Sequence, residues 1–414
     1  MTLSEELHYR GFVHQTTFKD LTMLDNQKVT FYQGFDASAD SQTIGNLAAM
    51  MFAKVFIRHG HRAIQLAGGA TSLIGDPGGK DSERPMQTAE TIAANVEAAS
   101  NQLQIILGAD NFTLVNNLDW TKDLPVLNFL RDIGKHFSMT PLVQRDYIAK
   151  RIGENGAGIS YTEFSYTLLQ GMDYLHLFDK EDCTLQLGGS DQWGNCLSGV
   201  ELIRRARGAE VHVITLPLVM NQLTGKKFGK SEAGAVWLDS TKTSVYAFYQ
   251  FWLNIDDEGV EYYLKIYTEL PKDEIDRILD QFQTNRAARN AQKTLAYHVT
   301  KLVHGQAAAD QISAITATLF ESNDLAQLTL LDMEVLAAEL PVVEAANLDM
   351  ISAVVAGSLA ESKAEARRLI EQSGIYLNSQ KVTLTSMLKD FEVLAGSPYV
   401  LLRRGKNKFA LVRQ

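Results

Sequence analysis

Lys227 and Lys230 stand on either side of a Phe-Gly pair in Thr224-Gly225-Lys226-Lys227-Phe228-Gly229-Lys230-Ser231. Two cations on a glycine-hinged loop suit a triphosphate, where they can neutralise charge building on a leaving group. For this stretch alone, a solvated lysine loop is the equal alternative. The segment ends like a P-loop, but Thr224 fills the place of the glycine six positions before the lysine. A second run, Gly68-Gly69-Ala70-Thr71-Ser72-Leu73-Ile74-Gly75-Asp76-Pro77-Gly78-Gly79-Lys80, is no Walker loop either, with Ile74 at the required glycine and Asp81 after the lysine. A P-loop kinase is therefore excluded. In this run Asp76 suits an ammonium group, while Lys80 and Arg84 either reach phosphate or belong to a solvated loop.

Tyr166, Gln170 and Asp173 are spaced i, i+4, i+7 and share one helical face, which Glu163 extends by a turn. Such a polar stripe on an otherwise apolar helix is a wet surface or the wall of a polar pocket. In Gly188-Gly189-Ser190-Asp191-Gln192-Trp193-Gly194-Asn195, Asp191 suits ribose hydroxyls, or with Ser190 offers a helix cap.

These groups need a scaffold. Residues 31–46 read as a strand, a small polar turn and a helix start. Ile44, Leu47, Ala48, Met51 and Val55 then lie on one helical face. Gly34 lets a ligand approach the backbone, and the free N–H groups of the helix start suit a phosphate. Ser38 and Thr43 add hydroxyls nearby. A strand at 63–67 completes a right-handed βαβ unit. The pattern continues with a helix at 88–107, a strand at 112–115, helices at 126–136 and 141–151, and a helix from 161. A strand at 185–187, a helix ending at 207 and a strand at 211–215 follow. This order predicts an α/β protein with a Rossmann-like parallel sheet binding ligands at its carboxyl edge. Phe129, Ile133 and Phe137 line one helical face that suits core or a subunit interface.

Residues 244–340 are strongly helical, and 341–347 reads as a linker. The tail opens with a helix at 350–359. Ser362 and Glu365 then form a capping-box pattern before a second helix that Gly374 ends. Strands follow at 375–377 and near Val382, and a basic turn at 403–408.

The chain has 414 residues, enough for two or three domains. Hydrophobic residues make up 45% and charged residues 21%, which predicts a globular chain. No apolar run reaches the length of a membrane span, and the first residues do not read as a signal peptide. Cys183 and Cys196 fit no zinc spacing, so a reduced, cytoplasmic protein is expected. Net charge is −10, yet residues 348–414 hold ten Lys and Arg against six Asp and Glu, about +4. A basic module on an acidic body suits local contact with a polyanion, or is a basic surface with no partner.

The stretch from Tyr32 to Asn46 resembles the first nucleotide-binding motif of class I aminoacyl-tRNA synthetases, in the form found in bacterial tyrosyl-tRNA synthetases. Tyr32, Gly34, Phe35, Asp36, Ala39, Asp40, Ser41, Ile44 and Gly45 fall on that pattern. Ala37 stands for the usual proline, Ser38 for threonine, Thr43 for the first histidine and Asn46 for the second. Gly68-Gly69-Ala70-Thr71, Ile74-Gly75-Asp76-Pro77, Thr162-Glu163-Phe164-Ser165-Tyr166 and Lys227-Phe228-Gly229-Lys230-Ser231 are similar to the same family. So are the 129–138 and 188–195 segments, in the family's order.

The resemblance implies tyrosine activation by ATP, giving tyrosyl-adenylate and pyrophosphate, then transfer to the terminal ribose of tRNA(Tyr). It implies that Tyr32 and Asp173 hold the phenol, that Asp76, Tyr166 and Gln170 hold the ammonium, and that Gln192 sits near the carboxylate. Gly34, Asp36, Gly45, Asn46, Gly189 and Asp191 would serve ATP, with Gln33 where many relatives have cysteine near the ribose. Ser38, Thr43, Lys80, Arg84, Lys227, Lys230 and Ser231 would face the triphosphate. Magnesium would accompany ATP, with no protein-bound metal. The implied layout is a catalytic domain at 1–240, a helical anticodon-region domain at 241–340, the 341–347 linker, and a ribosomal-protein-type RNA-binding module at 348–414. A homodimer through 126–138 is implied too. Thr43 and Asn46 motivate one alternative, an RNA-binding paralogue with weak or absent ligase activity.

Overall fold

In a computed structural model of the chain, the structure describes residues 1–76, 87–153, 156–225, 228, 230, 231, 234–345, 348–405 and 407–414. Lys80, Arg84 and Lys227 lie outside the described residues, and Lys230 and Ser231 are described in their backbone alone.

Contacts divide the chain into two compact units, Met1–Thr243 with Leu253–Leu295, and Ser244–Trp252 with Ala296–Gln414. The first unit is built on a six-stranded sheet. Its strands are β1 (Gln15–Thr16), β2 (Thr30–Phe35), β3 (Arg62–Ala67), β4 (Phe112–Asn116), β5 (Cys183–Gly189) and β6 (His212–Leu216), in the spatial order β1-β6-β5-β2-β3-β4. All neighbours are parallel except β1 and β6. From β2 the chain runs outward to β3 and β4, then crosses back to β5 on β2's other side. The carboxyl ends of β2 and β5 therefore flank the switch point where open α/β sheets bind ligands.

The strands β2, β3, β5 and β6 are covered on both faces and read as largely apolar runs, while β4 at the edge is partly exposed. Phe31, Ile64, Leu185, Leu187, Val213 and Ile214 are all buried. The Ile44–Arg58 helix buries the predicted stripe of Ile44, Leu47, Ala48, Met51 and Val55, and also Met50, Phe52, Ala53 and Phe56. It is core on more than one face, because it is covered beyond the sheet. The Tyr161–Glu181 helix starts on a capping box in which Ser160 accepts from the Glu163 N–H. Glu163 is therefore not part of a ligand-facing stripe. It also forms a buried two-bond ion pair with Arg151, at 2.7 and 2.8 Å.

Three local expectations change. The predicted 141–151 helix is two, Met139–Val143 and Asp146–Ile152. The 126–136 helix is a succession of short segments, an α-helical turn at Val126–Asn128, a π-helical stretch at Phe129–Ile133 and a 3-10 turn at Gly134–His136. Neither Ser190 nor Asp191 caps the Trp193–Arg207 helix by its side chain: Ser190 Oγ accepts instead from the Leu218 N–H. The Leu253–Leu295 helices cluster with the first unit rather than with the rest of the 241–340 stretch. Arg10 explains part of this, donating to the carbonyls of Lys265, Thr268 and Leu270. A two-residue hairpin, β7 (Lys230–Ser231) with β8 (Gly234–Ala235), follows the lysine loop.

The second unit carries a five-stranded sheet of β9 (Val342–Glu344), β10 (Ile375–Leu377), β11 (Gln380–Lys381), β12 (Tyr399–Arg404) and β13 (Lys408–Arg413), ordered β11-β10-β12-β13-β9. Val342–Glu344 lies inside the stretch expected as a linker, yet it pairs in parallel with β13 and buries Val343 in the tail's own core. Its short run of β-branched residues after Pro341 is the physical reason.

Candidate active site

The carboxyl ends of β2 and β5, with the Tyr161–Glu181 helix, enclose a cavity of about 260 Å³. Tyr32 reaches its wall from β2, with its side chain fully buried. Burial pushes its phenol well above the usual range, and among the described residues its hydroxyl has no hydrogen-bond partner. A buried polar atom left unsatisfied costs free energy, so a wall carrying several such atoms is built for a polar ligand. Among the described residues four line this cavity: Tyr32 OH, Gln65 Nε2, Gln170 Oε1 and Gln186 Oε1.

Asp173 sits among them. Its Oδ2 accepts from Asn117 Nδ2 and its Oδ1 from Trp120 Nε1, both at 2.9 Å. Those donors favour the anion, but burial outweighs them and lifts the carboxyl to about 7. Asn117 is itself held, its Oδ1 accepting from the Ala70 N–H at 2.7 Å. Tyr166, Gln170 and Asp173 do share the cavity wall, as the helical spacing predicts. The Tyr166 hydroxyl donates to Asp36 Oδ2 at 3.0 Å, and Thr71 Oγ1 donates to Asp36 Oδ1 at 3.0 Å. This places Asp36 within the network around Tyr166. Gly68 makes the Thr71 contact possible, since a Cβ there would lie 2.4 Å from Thr71 Oγ1 and 2.5 Å from Asp36 Oδ1. Asp76 is buried in the same lining and accepts from Gln192 Nε2 at 2.6 Å.

A second cavity, of about 210 Å³, opens beside the first. Asn46, Ala49, Gly189 and Asp191 line both, while Thr43, Gly45, Val219 and Phe228 line the second alone. Gly34 borders the first, where a side chain at 34 would meet only Leu66, at 3.9 Å, and otherwise fill the space a ligand would use. At the start of the Ile44–Arg58 helix, Asn46 Oδ1 accepts from both the N–H and the hydroxyl of Thr43, at 3.0 and 2.8 Å. The Thr43 proton is thus spent on Asn46. Ser38 is exposed and lines neither cavity. Gln33, buried on β2, donates to the Ala49 carbonyl at 3.0 Å.

Sequence reasoning missed Asn117, Trp120, Thr71, Gln65 and Gln186. The two glutamines did carry a signal: each interrupts an apolar strand, where an amide is costly without a task.

A sheet with a bipartite cavity at its switch point, one half polar and buried, the other at a helix N-terminus, is the arrangement in which open α/β sheets bind ligands. The chain belongs to the family of class I tRNA synthetases (W and Y), whose family model matches residues 24–321. Residues 332–412 match the C-terminal domain model of tyrosine–tRNA ligases. The chain is 43% identical over 422 residues to the tyrosine–tRNA ligase of Bacillus caldotenax, covering all of both chains. It is 42% identical over 431 residues to that of Bifidobacterium longum, covering 99% of this chain and 96% of the relative. Among solved structures, a C-terminally truncated mitochondrial tyrosyl-tRNA synthetase of Aspergillus nidulans is similar with a TM-score of 0.69 and 31% identity. That likeness covers 77% of this chain and 94% of the other.

Proposed function

We propose that the chain is a tyrosine–tRNA ligase. The observation that carries this reading is the pairing of an unpartnered Tyr32 hydroxyl with the buried Asp173 carboxyl in one cavity. Together they offer a donor and an acceptor to a phenolic hydroxyl. Phenylalanine would leave the Tyr32 hydroxyl buried without a partner and bring no hydroxyl to Asp173, so it is rejected by the cost of burial.

In the first step the tyrosine carboxylate attacks the α-phosphate of ATP and pyrophosphate leaves. In the second, the terminal ribose hydroxyl of tRNA(Tyr) takes the tyrosyl group and AMP leaves. No covalent enzyme intermediate is needed, so catalysis is positioning and charge stabilisation. Asp76, Tyr166 and Gln170 hold the ammonium, and Gln192 borders the carboxylate. Gly34, Gly189 and Asp191 receive the ribose. Lys227 and Lys230 meet the triphosphate, with Ser38, Thr43, Lys80, Arg84 and Ser231 beside them. Magnesium enters with ATP as part of the substrate. The basic tail and the helices after Ser244 hold tRNA. Val126, Leu127 and Leu130 are exposed apolar side chains on one short stretch, which supports a homodimer through 126–138. Among the described residues no helix is long and apolar enough to cross a membrane.

The test is tyrosine-dependent exchange of pyrophosphate into ATP, with phenylalanine and tryptophan as controls. Exchange with tyrosine alone is expected. A folded protein that binds tyrosine and tRNA but shows no exchange would overturn the reading.

A further inference from the structure

Behind Gln192, outside the lining of the cavity, lies a chain of polar side chains whose directions are all determined by its two ends. At the far end is Arg145, on the loop before the Asp146–Ile152 helix. Its guanidinium donates to Ser198 Oγ at 2.6 Å, Thr167 Oγ1 at 3.1 Å and Asn195 Oδ1 at 3.3 Å. Asn195 is buried, and its Oδ1 also accepts from Thr167 Oγ1 at 2.7 Å. Its Nδ2 donates to Gln192 Oε1 at 3.0 Å. Gln192 Nε2 then donates to Asp76 Oδ2.

Arginine is donor only and a carboxylate acceptor only, whereas an amide presents one of each. Between two such ends, both amides must point the same way. If Asn195 turned over, its NH2 would face the Arg145 and Thr167 donors and its oxygen would face Gln192 Oε1. If Gln192 turned over, its oxygen would face the Asp76 carboxylate. Each reversal replaces attraction by repulsion in a partly buried place. The Arg145 stem is itself fixed, passing over Gly194 at 3.6 Å from where a Cβ would be.

We infer that Asn195, held by Arg145 and Thr167, is a positioning residue that aims the Gln192 amide at Asp76 and so sets the geometry of the ammonium subsite. It touches neither cavity and acts through Gln192. The inference rests on the tyrosine-activating reading above and deepens it.

Asn195→Asp tests it, because the carboxylate has nearly the same shape and remains well paired with Arg145, but it cannot donate to Gln192. In tyrosine-dependent pyrophosphate exchange, the tyrosine KM is expected to rise about tenfold. The ATP KM and the melting temperature should stay near wild type. In a Gln192→Ala background the same substitution should have no further effect on the tyrosine KM. Arg145→Gln, which can turn an acceptor toward Asn195, should shift the tyrosine KM the same way and serves if Asn195→Asp does not fold. An unchanged tyrosine KM in the single variants would overturn the inference. So would full additivity with Gln192→Ala, which would mark a structural role only. If wild type itself shows no tyrosine-dependent exchange, the underlying reading fails, and that failure is visible before any variant is made.

Discussion

The indole N–H of Trp120 donates to Oδ1 of Asp173 at 2.9 Å, while Asn117 takes the other oxygen. The buried carboxyl in the cavity lining is therefore oriented before any substrate arrives. Yet burial still holds it near 7, raised from the usual 3.8. An acid whose folded pKa is raised binds its proton more tightly in the folded state. The stability this gives is complete below about pH 3.8 and is lost as pH climbs to about 7, at about 1.4 kcal/mol per pH unit. Asp173→Asn abolishes this titration. Measured by urea unfolding, the variant's stability relative to wild type should increase by up to about 3 kcal/mol between pH 5 and pH 7, then level off. A constant difference across that range would mean Asp173 is already ionised at pH 5.

Tyr32 gives a case in which stability and activity move in opposite directions. Its hydroxyl is buried without a partner, so Tyr32→Phe removes an unsatisfied group and should leave the melting temperature equal or higher. The same change should raise the tyrosine KM about tenfold and narrow the preference over phenylalanine. A clear loss of thermal stability would contradict the unsatisfied hydroxyl.

Thr43 gives its proton to Asn46, so its effect on the reaction must pass through the Asn46 amide. Thr43→Ala should lower the single-turnover rate of adenylate formation by about ten- to a hundredfold, with tyrosine binding nearly unchanged. Thr43→Ser should keep most of the rate, because the same donor remains. Equal losses in the two variants would point to the threonine methyl instead.

The tail offers a prediction about where to cut. Ending the chain at Leu348 would strand β9 without β13, leaving an open apolar edge that invites aggregation. Ending it at Leu340 removes β9 as well. The shorter product should make adenylate at the wild-type rate, fail to charge tRNA, and stay monodisperse in gel filtration. Loss of both activities would mean the tail supports the catalytic unit.

Much of this was readable in the residues, for reasons that differ by place. The shift in apolar period at Ile44 locates the strand-to-helix turn, and the i, i+4, i+7 spacing brings Tyr166, Gln170 and Asp173 to one wall. Both signals are local. The partners of Asp173 are not: Asn117 and Trp120 are 56 and 53 residues away and meet it only because β4 ends beside the helix. No periodicity encodes that meeting. Glu163 misled because it continued the stripe geometrically, while the first turn of a helix has backbone donors that claim such a residue first. Val342–Glu344 was too short for its strand pattern to stand out from a linker.

The parallel pairing of β9 with β13 also sets a clock on synthesis. β9 leaves the ribosome some seventy residues before its partner β13. The sheet of the second unit therefore cannot close until β13 has emerged. A β9 edge waits unpaired until β13 is made, whereas the six-stranded sheet that holds the cavity is complete by Leu216. The order of emergence lets the sheet that carries the cavity form before the sheet of the second unit closes.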